Sequence, residues 1–108
     1  MINETQRMYS FSHVDREAAE DYEYNGIKVK KGQTVNMLIF AMQHDEGVYP
    51  EAFKFNPDRE KCDNFTPFGS GPRMCIASRF AILEIKLLLA TILSKYRFEK
   101  CDKTPVIN

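Results

Sequence analysis

The chain is 108 residues long, and its 15 lysines and arginines balance its 15 aspartates and glutamates, so its formal net charge is zero. This balance argues against a nucleic-acid-binding module, which normally carries a basic excess or a basic stripe. With 44% of its residues hydrophobic, the chain also lacks the composition of a disordered tail. The length admits one domain at most, with one modest core.

Membrane and disulfide classes are also disfavoured. The longest apolar stretch without a charge runs from Leu87 to Ser94, far below the roughly 20 residues that a membrane-spanning helix requires. The polar residues 1–7 do not have the pattern of a secretory signal peptide. Cys62, Cys75 and Cys101 form no C-x-x-C pair, which argues against a disulfide framework and a structural zinc site. We therefore expect reduced thiols.

The first predicted element is a helix over Ile2 to Tyr9. No capping residue precedes it, so the chain is expected to begin inside an element. Residues 10–19 are polar and are predicted to be irregular. The pair Asn25-Gly26 favours a type I′ turn and therefore predicts a hairpin over residues 20–29.

A second turn is predicted at Lys31-Gly32, followed by a strand over Thr34 to Phe40 whose apolar second half is expected to be buried. From His44 to Gly71, prolines, glycines and aromatic residues recur without periodicity, which predicts a long, ordered loop with a functional role. Apolar residues three and four apart then predict a helix over Ile76 to Tyr96. Apolar positions lie almost all round this helix, as expected in the centre of a larger protein.

The segment before this helix points to a cysteine that binds a ligand. Gly69 and Gly71 let the backbone turn and let a bulky group approach closely. Arg73 supplies a fixed cation with a fork of donors suited to a carboxylate. Cys75 lies where backbone N–H groups and the positive helix end favour a thiolate, which suits a soft metal or nucleophilic chemistry. A buried free cysteine at a loop–helix junction is the alternative interpretation of the same residues.

This segment resembles the haem-binding loop of the cytochrome P450 family, F-x-x-G-x-R-x-C-x-G. The matching residues are Phe68, Gly71, Arg73 and Cys75, and Ala77 stands in place of the last glycine. The resemblance implies that Cys75 is the axial ligand of the iron in haem b (iron protoporphyrin IX), and that the other three residues belong to the cofactor-binding loop. No residue of the chain is assigned a catalytic role.

Two upstream motifs resemble the same family in the same order. Glu4-Thr5-Gln6-Arg7 is similar to the E-x-x-R of its K helix, and Pro57-Asp58-Arg59 is similar to the P-x-R of its meander. The resemblance implies a buried structural triad of Glu4, Arg7 and Arg59. Taken alone, a Glu–Arg pair three residues apart contributes only a few tenths of a kcal/mol and usually lies on the surface.

Arg16 lies where the family has a haem propionate-binding arginine, and a solvated loop residue is the alternative interpretation. The chain departs from the family pattern near its other motifs. It has Gln6 and Ser10 where the K helix usually continues with Leu and ends in Pro, and Glu60 where an aromatic usually follows the meander arginine. Gln43-His44-Asp45 replaces the usual His, basic residue and Asp.

The remaining candidates are read as ordinary residues. His13 and His44 have no histidine partner three or four residues away, and such histidines are more often surface residues than metal ligands. Cys62 and Cys101 are interpreted as plain thiols. Three basic residues are candidates for a surface that docks a reductase, although a solvated face is the simpler interpretation: Lys61, Arg79 and Lys86.

The resemblance implies an α+β fold that is mainly α, with residues 1–108 forming the incomplete C-terminal, proximal part of a P450 domain. The implied elements are the end of the K helix, small β hairpins, the meander, the cysteine-ligand loop and the long L helix. The implied function is that of a haem-thiolate monooxygenase, which oxidises a small hydrophobic substrate with O₂ and electrons from a separate reductase. Because the O₂-activating half of such a domain is absent from the chain, we expect the chain alone to be inactive and not to bind haem stably.

Two alternatives stay open at this point. One is a non-catalytic, truncated haem-site or interaction protein, and the other is a haem-thiolate isomerase or synthase that uses no external electrons. Neither nucleic acid nor a membrane span is expected, although a eukaryotic full-length relative would associate with the endoplasmic reticulum membrane.

Overall fold

The computed structural model describes residues 1–11, 13–60 and 62–105. The chain divides into two compact units, Met1–Met74 and Cys75–Asn108. Of the basic residues considered for a docking surface, Lys61 lies outside the described residues, whereas Arg79 and Lys86 are exposed in the second unit. Helices and short antiparallel strand pairs together confirm the predicted α+β class.

The first unit opens with a short helix, α1, over Ile2–Met8. The amide of Tyr9 donates to the carbonyl of Thr5 at 2.9 Å and ends the helix one residue before its predicted boundary. Glu4 and Arg7 are its buried residues. Because residues three apart share one face of a helix, α1 turns an ion pair inward where a helix normally places apolar side chains.

In the part of the chain that the structure describes, four short strands follow and form two separate pairs. Strand β1 (Val14–Glu17) runs antiparallel to β4 (Thr34–Met37), with Val14 opposite Met37 and Glu17 opposite Thr34. Strand β2 (Tyr22–Tyr24) runs antiparallel to β3 (Ile27–Val29). Asn25 and Gly26 between them have φ angles of 49° and 80°, as a type I′ turn requires, so the predicted hairpin is confirmed.

The prediction that residues 10–19 are irregular is wrong, because β1 lies within them. The sequence of this strand, Val-Asp-Arg-Glu, does not alternate between apolar and polar residues. One of its side chains is half-buried and the other three are exposed. Its hydrogen-bond partner, β4, lies some twenty residues further along the chain. Pairing with a distant segment creates a strand that its own sequence does not signal.

The predicted strand over Thr34 to Phe40 is correct only for its first half. Strand β4 ends at Met37, and a second helix, α2, runs over Ile39–Gln43. In this unit Ile39 and Gln43 are buried while Phe40 is exposed. The spacing of four residues between the two buried positions is helical, and five residues are too few for this periodicity to stand out in the sequence.

The described residues between Asp45 and Ser70 form turns and contain no helix or strand, as the sequence predicted. Only part of this loop is tightly packed. Tyr49 and Ala52 are buried, whereas Phe53 and Phe55 are exposed, so the aromatic residues do not all anchor the loop in this unit. Among the described residues of the first unit, the buried set is small and strongly polar, and comprises Glu4, Arg7, Ile39, Gln43, His44, Tyr49 and Ala52.

The main element of the second unit is a long helix, α3, over Ser78–Leu93. It is shorter at both ends than the predicted span of Ile76 to Tyr96. None of its residues is buried, and large apolar side chains such as Phe80, Leu87 and Leu88 are exposed on it. No helix in the described ranges combines the length and the hydropathy of a membrane span.

Candidate functional site

The structure brings Glu4, Arg7 and Arg59 together in the first unit. Arg7 donates to both carboxylate oxygens of Glu4, from Nε to Oε2 at 3.0 Å and from Nη2 to Oε1 at 2.9 Å. Arg59 Nε donates to Glu4 Oε1 at 3.2 Å, and the backbone amide of Asn56 donates to the same oxygen at 3.1 Å. A fork-to-fork pair of this kind fixes the side chains in orientation as well as in distance.

The remaining donors of the two arginines bind main-chain carbonyls. Arg7 Nη1 donates to the carbonyl of Gln43 at 2.6 Å, and Arg7 Nη2 donates to that of Ala52 at 2.7 Å. Arg59 Nη1 donates to the carbonyl of Pro50 at 2.6 Å. The cluster therefore ties α1 to the end of α2 and to the loop that follows it.

The electrostatics of the cluster keep Glu4 ionised. Burial of Glu4 would raise its pKa, but the hydrogen bonds from Arg7, the amide of Asn56 and Arg59, together with the charge of Arg7, lower that pKa from 4.5 to about 2. The guanidinium of Arg7 also lies 5.3 Å from the ring centroid of Tyr49, within the range of a cation–π contact. The carboxylate and the two arginines therefore stay ionised, and their ion pairs persist, over the physiological pH range.

The loop that leads to Cys75 depends on two glycines. Gly69 has a φ of 75° and Gly71 a φ of 69°, in the left-handed region that other residues enter only with strain. A short 3₁₀ turn over Gly71–Arg73 follows, and Arg73 is exposed. Phe68 is half-buried at the start of the turn.

In the second unit, Cys75 is exposed and its thiol is free. The amide of Ser78 donates to the carbonyl of Cys75 at 3.3 Å, so a turn connects the cysteine to α3. Ala77 precedes the helix with φ −87° and ψ 4°, values that any L-residue adopts, so its backbone does not require the glycine of the family pattern. The thiol is accessible to a ligand at the start of a long helix.

Arg16 is exposed on β1, opposite Val35 of β4. Its Nη1 donates to the carbonyl of its own neighbour, Asp15, at 2.7 Å. The structure thus places Arg16 on a strand, where its side chain is exposed to solvent. No described contact joins it to the ion-pair cluster.

The interpretation of His44 as a surface residue is wrong. His44 is buried, its ring stacks on that of Phe40 at a centroid distance of 4.0 Å, and the ring of Phe53 lies 4.9 Å away. Its Nδ1 lies 2.9 Å from the carbonyl oxygen of Phe40. The aromatic residue four positions earlier, one helical turn away, was the signal for this packing. Among the described residues no group of His, Cys, Asp and Glu is arranged to hold a metal ion.

Sequence reasoning also missed the carbonyl acceptors of the cluster at Gln43, Pro50 and Ala52. Every residue has a carbonyl group, so these positions carry no residue-type signature. The family pattern names the charged side chains and not the backbone that they hold.

The comparisons with known proteins agree with the motifs. The family model for cytochrome P450 matches residues 1–108. The chain is 36% identical to cytochrome P450 3A31 of Mesocricetus auratus and 36% identical to cytochrome P450 3A16 of Mus musculus, in each case over 98% of this chain. It is 35% identical to cytochrome P450 3A5 of Homo sapiens, also over 98% of this chain. The chain spans 23% of the length of each of these relatives. The chain belongs to the cytochrome P450 family.

Proposed function

We propose that residues 1–108 are the proximal, cysteine-bearing part of a haem-thiolate monooxygenase, with Cys75 as the axial ligand of the haem iron. The observation that carries this proposal is an exposed, free thiol three residues before a long helix, preceded by two left-handed glycines in the spacing of the family motif. Thiolate is the ligand through which proteins of this kind push electron density to iron and favour O–O cleavage.

The residues present fit a flat, bulky cofactor. An added Cβ at Gly71 would meet no atom within 4 Å, so the loop leaves open space at a residue whose backbone demands glycine. The sulfur of Cys75 is a soft ligand suited to iron–thiolate bonding. When bound, haem supplies the O₂ activation and the oxidation, whereas the protein supplies binding, orientation and electrostatics.

In this proposal each residue of the chain has a distinct task. Cys75 Sγ would bind the iron, and the exposed Arg73 would donate charge-assisted hydrogen bonds to a haem propionate. Arg16, whose Nη1 donates to the carbonyl of Asp15, would donate to a propionate in the same way. Phe68 and Gly71 belong to the loop of the family motif that precedes Cys75 in the chain. The cluster of Glu4, Arg7 and Arg59 would act structurally, because it fixes the loop from Pro50 to Arg59 by hydrogen bonds.

The substrate, the electron donor and the cellular location are properties of the complete domain. We propose a small hydrophobic substrate, a separate reductase as electron donor and association with the endoplasmic reticulum membrane, as expected for a eukaryotic member of the family. The exposed apolar side chains of α3, such as Leu83 and Leu87, support a helix that is covered within a larger domain.

The test uses a chimera in which the chain replaces the segment that it matches in cytochrome P450 3A31. We expect the reduced chimera to give the red-shifted thiolate–carbonyl band with CO. Cys75→Ser is expected to abolish this band, and the matched control Cys62→Ser is expected to retain it. A chimera that holds haem without this band, or a Cys75→Ser variant that keeps it, would show that another group ligates the iron.

A further inference from the structure

We propose that Asn25 is a site of spontaneous deamidation, which converts it to isoaspartate and thereby opens the hairpin of β2 and β3. The sequence contains a single asparagine–glycine pair, Asn25-Gly26. Both residues are exposed, and together they form the turn between the two strands. No step of the proposed haem chemistry uses this turn, so the inference does not depend on the proposed function.

Gly26 gives its own backbone nitrogen access to the side chain of Asn25. Because glycine has no Cβ, a neighbouring group approaches its backbone closely. An added Cβ at Gly26 would meet no atom within 4 Å, so the structure leaves open space at this residue. The side-chain amide of Asn25 and the nitrogen that attacks it therefore lie in an uncrowded turn that water reaches.

The reaction is balanced with water as its co-reactant. The backbone nitrogen of Gly26 forms a bond to Cγ of Asn25, and the bond from Cγ to the side-chain nitrogen breaks. The side-chain nitrogen leaves as ammonia with the proton that the backbone nitrogen has lost. Water then opens the cyclic imide. If water breaks the bond from the backbone carbonyl carbon of Asn25 to nitrogen, the chain continues through Cβ and Cγ as isoaspartate, whereas breaking the bond from Cγ gives aspartate.

Isoaspartate does not fit this hairpin, because it adds one carbon atom to the main chain of the turn. Asn25 and Gly26 have φ angles of 49° and 80°, as a two-residue type I′ loop requires. Tyr24 pairs with Ile27 directly beyond this loop. Since turn type and loop length set the register of a hairpin, the longer main chain disrupts the pairing of Tyr24 with Ile27.

The remaining contacts of the hairpin are too weak to replace the turn. The register of β2 and β3 comprises three residue pairs, and a two-stranded hairpin is marginally stable at best. Lys28 Nζ lies 3.6 Å from Glu23 Oε2, and Lys30 Nζ lies 2.7 Å from Asp21 Oδ2. Both ion pairs are exposed, and pairs of this kind contribute little to stability. The hairpin therefore depends on the turn that deamidation alters.

The first experiment follows deamidation of each asparagine by mass spectrometry of peptides from the purified chain, incubated at mildly alkaline pH. We expect the reaction at Asn25 to be about tenfold faster than at Asn64, because Phe65 instead of a glycine follows Asn64. Asn64 is exposed as well, so it is a matched internal control. Isoaspartate should be the main product at Asn25. Equal rates at the two asparagines, or aspartate without isoaspartate, would overturn the proposal.

The second experiment measures trypsin cleavage after Lys28 in the folded chain. We expect cleavage to be severalfold faster in the chain that contains isoaspartate than in the unmodified chain. Freshly prepared Asn25→Asp has the new charge without the extra main-chain atom, so it should be cleaved at the unmodified rate. Cleavage after Lys54, which is exposed outside the hairpin, should be equal in all three chains. If isoaspartate leaves cleavage after Lys28 unchanged, or Asn25→Asp accelerates it equally, the proposed opening of the hairpin is wrong.

Discussion

Arg7 donates hydrogen bonds to both carboxylate oxygens of Glu4, and the two side chains are buried on the same face of α1. A pair at this spacing normally lies in solvent and contributes a few tenths of a kcal/mol. Here the pair is desolvated and its remaining donors and acceptors are filled by Arg59, the amide of Asn56 and two main-chain carbonyls. Removing one member of such a cluster leaves a buried charge without compensation, which is the costly event.

Glu4→Gln is therefore expected to destabilise the fold by about 3–5 kcal/mol, because the guanidinium of Arg7 loses its counter-charge in a buried position. Urea unfolding followed by circular dichroism measures the change. Glu51→Gln is the matched control: Glu51 pairs with Lys54 on the surface at 3.1 Å, and its loss should cost less than about 1 kcal/mol. Similar losses of stability in both variants would contradict the expectation that the buried cluster contributes more than a surface ion pair.

The low pKa of Glu4 predicts how stability depends on pH. The folded-state pKa of about 2 lies below the ordinary 4.5, so the ionised carboxylate favours the folded state by about 3 kcal/mol. This contribution is fully present above pH 4.5 and is lost as the pH falls towards 2. Urea unfolding between these two pH values should show the wild type approaching Glu4→Gln as acid is added. A constant gap between the two curves would show that Glu4 is not the titrating group.

The chain by itself is expected not to retain haem. Cys75 is exposed, and in its unit none of the residues of α3 is buried, so few packed side chains are available to hold an apolar cofactor. Haemin added to the purified chain should separate from it during gel filtration. A reduced CO complex with the red-shifted thiolate–carbonyl band, in good yield, would contradict this expectation.

Gly71→Ala is expected to destabilise the loop by about 1–2 kcal/mol, because an alanine at φ 69° suffers the left-handed backbone clash. An added Cβ meets no neighbour within 4 Å, so the cost comes from the backbone alone. Thermal unfolding of the first unit measures it. Ser70→Ala, one residue earlier in extended backbone with φ −143°, is the control and should change stability by less than about 0.5 kcal/mol.

Local chemistry explains which elements the sequence predicted correctly. Asn25-Gly26 specifies its hairpin through two positive φ angles, and the spacing of Leu83, Leu87 and Ala90 specifies α3. Strand β1 depends instead on pairing with β4, a contact between distant segments, and α2 is too short for its periodicity to be seen. Pairing between distant segments and very short helices are decided by tertiary contacts.

In the candidate site, too, some features could be predicted from the sequence and others depend on tertiary contacts. The charged side chains Glu4, Arg7 and Arg59 followed from the resemblance, because the family motif consists of side chains. The carbonyls that bind Arg7, at Gln43 and Ala52, did not follow, since a main-chain acceptor has no residue signature. The burial of the Tyr49 hydroxyl depends on how the loop folds back, which no local pattern specifies.

The bonds from Asn56 and Arg59 to Glu4 join positions more than fifty residues apart along the chain. The four described strands lie between Glu4 and Asn56 in the chain, so the hydrogen bonds to Glu4 hold together the two ends of the segment that contains the strands. Lengthening the hairpin tip at Asn25-Gly26 would lengthen this segment without moving the residues that bind Glu4. Doubling the length of a flexible loop costs only about 0.6 kcal/mol. The hairpin tip is therefore where the chain should accept an inserted peptide with the least effect on the loop that leads to Cys75.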